Sequence, residues 1–299
     1  MAPSFLSINP PATPSLPVWL ATAYAITGRS RPVAVKARCR LRCRRLAYIQ
    51  LRPPLGHLMI PLITLSHGSR KKSAAAGITA LTHEAGRMLE TPAVEAHLEL
   101  AEPSLDQVVA TLSAEGVTRA ALVPLLFSNA YHAKIDVPEA VKDASEKYGV
   151  ELLVGPHLGT GSDVASVLAQ RLRADAPTDA HVILYSVGSS HVSANESVID
   201  LAHTIALLTG FSVEVVPATG GPGAGGAGVI EVASKHKAVH ILPLFVTEGL
   251  LLDRVIDQSA NIAAATGTNF TYSEPLTTDL APLVAARYHA ALSALLAHI

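Results

Sequence analysis

Residues 62–70 read LITLSHGSR, and residues 181–190 read HVILYSVGSS. Each is an apolar run of strand length that breaks into a Gly-Ser turn. At an offset of 120 the second stretch copies the first. Further along, ALVPLLF around Pro124 matches VHILPLF around Pro243 at an offset of 119, and VGPHL around Pro156 matches SEPL around Pro275 by the same shift. Val94-Glu95 falls on Val213-Glu214, again at 119. A near-constant spacing across four strand candidates is the signature of an internal duplication.

Within each copy, short apolar runs alternate with amphipathic stretches. In the first copy the strands are expected at 58–66, 94–100, 119–127 and 151–156. Helices are expected over 72–90, over 104–115 from a Ser cap, from about Val137, and from a cap at Ser162 or Asp163. Strand–helix alternation of this kind builds a parallel sheet with right-handed crossovers. The fold class is therefore α/β: two tandem doubly wound modules, 58–178 and 179–299, each with a four-stranded, mainly parallel sheet. Strand ends in such sheets face crevices, so the site is expected in the cleft between the modules.

Composition agrees. Of 299 residues, 49% are hydrophobic, 16% charged and 4% aromatic, so Ala, Val and Leu do the packing, as in helix-covered parallel sheets. The net charge of -1 argues against general nucleic-acid binding. That total conceals an asymmetry: residues 1–60 hold eight Arg, one Lys and no acid, and the first acidic residue is Glu84. Both cysteines, Cys39 and Cys43, lie in this leader, so the body has no disulfide or cysteine-metal scaffold and suits the cytoplasm. No apolar run reaches the ~20 residues of a membrane span. Leu16–Ile26 is short, contains Pro17 and has its basic residues on the wrong side for a secretory signal. Residues 1–57 remain open between a disordered basic tail, a transit peptide, and a stretch upstream of a true start at Met59. The last is preferred because the fold signal begins at Leu58.

The duplication provides a comparison internal to the chain. After the first strand, Ser66-His67-Gly68-Ser69-Arg70 faces Ser186-Val187-Gly188-Ser189-Ser190: the turn persists and His67 becomes Val187. By the 119 offset, His132 falls on Leu251 and Glu99 on Ala218. Packing alone would not favour polar groups in one copy only. Two imidazoles and a carboxylate on one rim suit a borderline divalent ion, held loosely enough to release. Asp136 is placed either to orient His132 or to cap the next helix. Glu102 reads equally as a helix start. His157 and His191 follow strands and are weaker candidates, and His97 shows no pattern.

Two decoys are set aside. Gly221-Pro222-Gly223-Ala224-Gly225-Gly226 fits G-x-G-x-x-G, but it sits in the second strand–helix turn, and Pro222 removes a donor where phosphate would want one. Ser69 is not in a G-x-S-x-G elbow. No G-x-x-x-x-G-K-[ST] occurs, which argues against an ATP-driven subunit.

LSHGSR at 65–70, AHLELAEPSLDQVV at 96–109 and VPLLFSNAYHAKIDVP at 123–138 resemble the cobaltochelatase and ferrochelatase family of cobalamin and sirohaem biosynthesis. The resemblance covers about residues 60–295 and is to the long members, which fuse two modules. It implies a lyase that inserts Fe2+ or Co2+ into a sirohydrochlorin-type tetrapyrrole without ATP or a further cofactor. It implies that His67 and His132 bind the metal and act in catalysis, and that Glu99 assists proton removal or metal delivery. Ser69, Arg70 and Asn129 are expected to touch the substrate. The second module resembles members whose C-terminal half has lost its histidines, and fusion implies a monomer. No membrane or nucleic-acid partner is expected. The competing reading is a non-catalytic tetrapyrrole- or metal-binding protein on the same fold.

Overall fold

The computed structural model describes residues 59–127 and 136–296. Residues 1–58, with the leader, and 128–135, with Asn129 and His132, lie outside them. Along the chain run β1 (Leu62–Ser66), α1 (Lys72–Leu89), β2 (Ala93–His97), α2 (Leu105–Ala114), β3 (Arg119–Pro124), α3 (Val137–Tyr148), β4 (Glu151–Val154) and α4 (Ser162–Asp175). The second set is β5 (His181–Ser186), α5 (Val192–Thr209), β6 (Val213–Pro217), α6 (Gly225–Ala233), β7 (Ala238–Pro243), α7 (Leu250–Ile256), α8 (Ser259–Thr266), β8 (Asn269–Tyr272), a 3-10 turn (Thr277–Leu280) and α9 (Ala281–Leu296).

Both sheets are four-stranded and parallel, in the orders β2-β1-β3-β4 and β6-β5-β7-β8. Strand alternation divides the first core. Ile63, Leu65, Ala120 and Leu122 face α2 and α3, where Val108, Val109, Val137 and Val141 meet them. Leu62, Ala121 and Val123 point the other way, into a core that also takes in Val182, Leu184 and Leu242 of the second sheet. Burying each Leu or Val of this shared layer contributes about 2 kcal/mol. The two halves thus share one continuous hydrophobic core.

The shared layer is made by an exchange of helices. The last helix of the second half, α9, packs on α1 and against β3 and β4 of the first sheet, through Val284, Tyr288 and Ala291. The last helix of the first half, α4, packs along α5, joining Leu168 and Leu172 to Leu201 and Ile205. Polar bonds fasten the exchange. The Tyr288 hydroxyl donates to the Ile60 carbonyl at 2.7 Å, and Arg287 donates to the Leu158 carbonyl at 2.8 Å and to Asp163 at 2.6 Å.

Three expectations are corrected. β2 and β3 each stop three residues short of the ends of the apolar runs 94–100 and 119–127, although single backbone bonds from Leu98, Glu99 and Leu125 to the β1 chain carry on past the last strand residues. The N-cap of α4 is Gly161 and not Ser162 or Asp163, and it makes no side-chain cap bond; Asp163 accepts the Val164 N–H with one oxygen and Arg287 with the other. The repeat offset also drifts. Register pairs Leu62 with Ala93 and Val182 with Val213, so β1 and β2 repeat at 120. It pairs Leu62 with Ala121 and Val182 with His240, so β3 repeats at 119. Arg119 with Glu151 against Ala238 with Asn269 gives 118 for β4.

Candidate functional site

The parallel ladder of β1 and β2 runs on past the last strand residues. The Leu98 N–H donates to the Ser66 carbonyl at 2.9 Å, and the Glu99 N–H to the His67 carbonyl at 3.0 Å. His67 and Glu99 are thus locked side by side on adjacent chains at the carboxyl rim. Leu100 then takes a φ of 61°, and the Ala101 N–H returns to the Glu99 carbonyl at 2.7 Å, turning the chain away. Gly68, at φ 96°, lies flat on Glu99: a Cβ there would collide with the Glu99 carbonyl oxygen.

The second half repeats this backbone. Ala218 donates to Ser186, Thr219 donates to Val187, and Gly188 lies on the Thr219 carbonyl. The structural equivalent of Glu99 is therefore Thr219 and not Ala218. The one-residue slip arose from carrying the 119 offset of β3 back to β2, which repeats at 120. The second copy keeps a short polar residue there, and the carboxylate is confined to the first.

His67 is half-buried and Glu99 exposed, and both line a cavity of about 300 Å³ with Leu98, Asp136, Glu139, Ala140 and Asp143. The last four lie on one face of α3 by i, i+3, i+4 and i+7 spacing. An imidazole and four carboxylates make up the polar lining, with no Lys or Arg. Such a wall attracts cations, and oxygen and imidazole donors together suit a divalent transition ion. Among the described residues, no three His, Cys, Asp or Glu side chains converge as a closed ligand set. Glu139 and Asp143 were not singled out from the sequence, although their helical spacing from Asp136 is the signal that marks them. Asp136 stands at the N-cap of α3 and makes no side-chain cap bond.

Behind this wall is a buried pair that the sequence did not flag. Ser66 Oγ and His97 Nδ1 are 2.7 Å apart, at 6% and 2% exposure, each one or two residues before a rim residue. Burial holds the His97 pKa below its ordinary value, and the charges of Glu95 and Glu102 oppose that only partly.

The other candidates fall elsewhere. Ser69 Oγ accepts the Lys71 N–H at 3.1 Å, and Ser189 Oγ accepts the His191 N–H at 3.1 Å, so this hydroxyl closes the same turn in both halves. Arg70 is exposed and does not line the cavity. Glu102 accepts the Ser104 N–H at 3.3 Å, where Ser104 and Gln107 form a capping box, so it belongs to the start of α2. His157 Nδ1 donates to the Leu126 carbonyl at 3.2 Å and lines a separate, mostly apolar cavity of about 550 Å³ with Val137, Val141 and Val154. His191 is the exposed N-cap of α5.

Comparison with known proteins gives a consistent picture. Residues 61–175 match the CbiX family model. A sirohydrochlorin ferrochelatase of Priestia megaterium is 28% identical over 251 residues, covering 80% of this chain and 89% of the relative. A sirohydrochlorin cobaltochelatase of the same organism is 26% identical, covering 67% of this chain and 68% of the relative. Among solved structures, SirB from Bacillus subtilis with Fe3+ superposes with a TM-score of 0.67 at 24% identity, covering 79% of this chain and 98% of that one. The α/β chelatase-like fold of two modules expected from the motifs is the fold observed, and residues 61–175 are similar to the CbiX family.

Proposed function

We propose that this chain is a sirohydrochlorin chelatase that inserts Fe2+ or Co2+ into its tetrapyrrole without ATP. The observation that carries the proposal is the register at the rim. Backbone bonds hold His67 beside Glu99 on the wall of a cation-attracting cavity, and the second copy of the same backbone carries Val187 and Thr219 instead. Relatives named for iron and for cobalt both align with the chain, so both ions stand as substrates.

In this reading the carboxylates of Glu99, Asp136, Glu139 and Asp143 draw the hydrated ion in. His67 and His132 hold it by imidazole lone pairs, leaving positions open toward the macrocycle. Insertion forms four metal–nitrogen bonds and releases two pyrrole protons, so charge balances without a redox partner. The leaving protons need bases at the ring face, and His67, His132 and Glu99 have the chemistry for it. Residues 58–178 would form the active module and 179–299 a module that has lost the metal ligands. A monomer in the cytoplasm suits the fused halves and the cysteine-free body; no described helix is long and apolar enough to cross a membrane.

The test is turnover. Anaerobic incubation of the protein with a hundredfold excess of sirohydrochlorin and Fe2+ or Co2+ is followed by absorbance. Complete conversion to the metallated spectrum is expected. A change that stops at one equivalent per protein would identify a binder instead.

A further inference from the structure

The second half contributes no metal ligand in the proposed chemistry, yet one of its connections grips the loop that presents His67. Lys71 closes that loop, four residues after His67. Its Nζ is 2.9 Å from both carboxylate oxygens of Asp253 and 2.9 Å from Glu248 Oε2. Asp253 lies on α7 and Glu248 in the connection between β7 and α7. Glu248 also bonds to Ser73 in the first turn of α1. Beside it the Thr247 hydroxyl donates to the Ala74 carbonyl at 3.3 Å, and Gly77 leaves room for Thr247, since a Cβ at 77 would strike Thr247 Oγ1. Residues 247–253 are therefore seated on the start of α1 by one ammonium, two carboxylates, two hydroxyls and a fitted glycine.

The place of this segment in the repeat gives it meaning. The β7–α7 connection is the counterpart of the β3–α3 connection, which carries His132 in the first half. Lys71 in turn is replaced by His191 at the matching turn. We propose that the second half is a brace: Lys71, Glu248 and Asp253 are positioning residues that fix the His67 loop at the rim. This rests on the chelatase reading for its kinetic consequence, though not for its structural one. The grip is part-exposed, with 30% of the Lys71 side chain, 46% of Glu248 and 29% of Asp253 open to solvent, so it adds little to global stability. Its effect is on geometry, where a small displacement of a metal-holding imidazole is costly to rate.

The experiment compares wild type, Lys71→Glu, Asp253→Lys and the double charge exchange. It reads peptide-level hydrogen exchange over 66–71 together with kcat and KM for metal insertion. Each single variant is expected to speed exchange in that peptide several-fold and to lower kcat roughly tenfold or more, with KM for the tetrapyrrole unchanged. The double variant should recover both. Unchanged exchange, or a double variant no better than the singles, overturns the brace. A raised KM at constant kcat also overturns it, because Lys71 would then hold a substrate carboxylate. If wild type inserts no metal, the chelatase reading fails while the exchange data still decide the brace.

Discussion

A methyl group at position 68 would land on the carbonyl oxygen of Glu99, and the backbone there has a φ of 96° that L-residues avoid. Gly116, at φ 80° with nothing within 4 Å, has the second difficulty alone. Gly116→Ala should cost about 1 kcal/mol and Gly68→Ala roughly 3 kcal/mol, read by urea denaturation. Gly68→Ala should also push Glu99 off the rim, so its activity should fall further than its stability explains. Equal stability costs for the two would show that Gly68 is not pressed on Glu99. Glu99→Gln keeps the shape and removes the charge. It should fold as wild type and lower kcat by about 100-fold, in the range of a lost general base. The sequence singled out His67 and Glu99 because the duplication supplied a copy without them. It could not reveal Ser66–His97, because a buried histidine is recognised by its partner across the ladder and not by spacing along the chain.

At the scale of elements, the buried histidines set how the strands respond to acid. His240 on β7 is fully buried between the hydroxyls of Thr271 and Ser273, each 2.9 Å away, and burial lowers its pKa to about 4. A histidine that is harder to protonate when folded stabilises the native state above the unfolded pKa of about 6.5. That contribution drains away as pH falls through the window down to about 4, at up to ~1.4 kcal/mol per pH unit. Thermal melts from pH 7 to pH 4 should steepen below about pH 6.5. His240→Gln should flatten part of that slope, and His97, His157 and His181, all held low by burial, should supply the rest. An unaltered slope in His240→Gln would show that His240 does not titrate in this window. Strands and helices themselves were legible, since apolar period and turn residues mark them. Their ends were not, because the apolar runs continue into rim residues where the chain turns, as at Leu100 with its φ of 61°.

Across the whole molecule, the exchange of α4 and α9 is what periodicity cannot show: an apolar stripe says that a helix is covered, not by which sheet. Because α9 covers the first sheet, a fragment of residues 59–178 should expose the faces of α1 and β3 that Val284, Tyr288 and Ala291 now bury. Light scattering should find it dimeric or aggregated; a folded, monomeric fragment would contradict the exchange. The shared core also explains why a second half without the rim histidine can persist, since it completes the packing of the first.

The most direct measurement is the metal-insertion rate of His67→Ala and His132→Ala beside wild type, with melting temperatures taken on the same samples. Melting should move by no more than about 3 °C, while each rate falls by about 100-fold or more. Wild-type rates in both variants would contradict the proposed site.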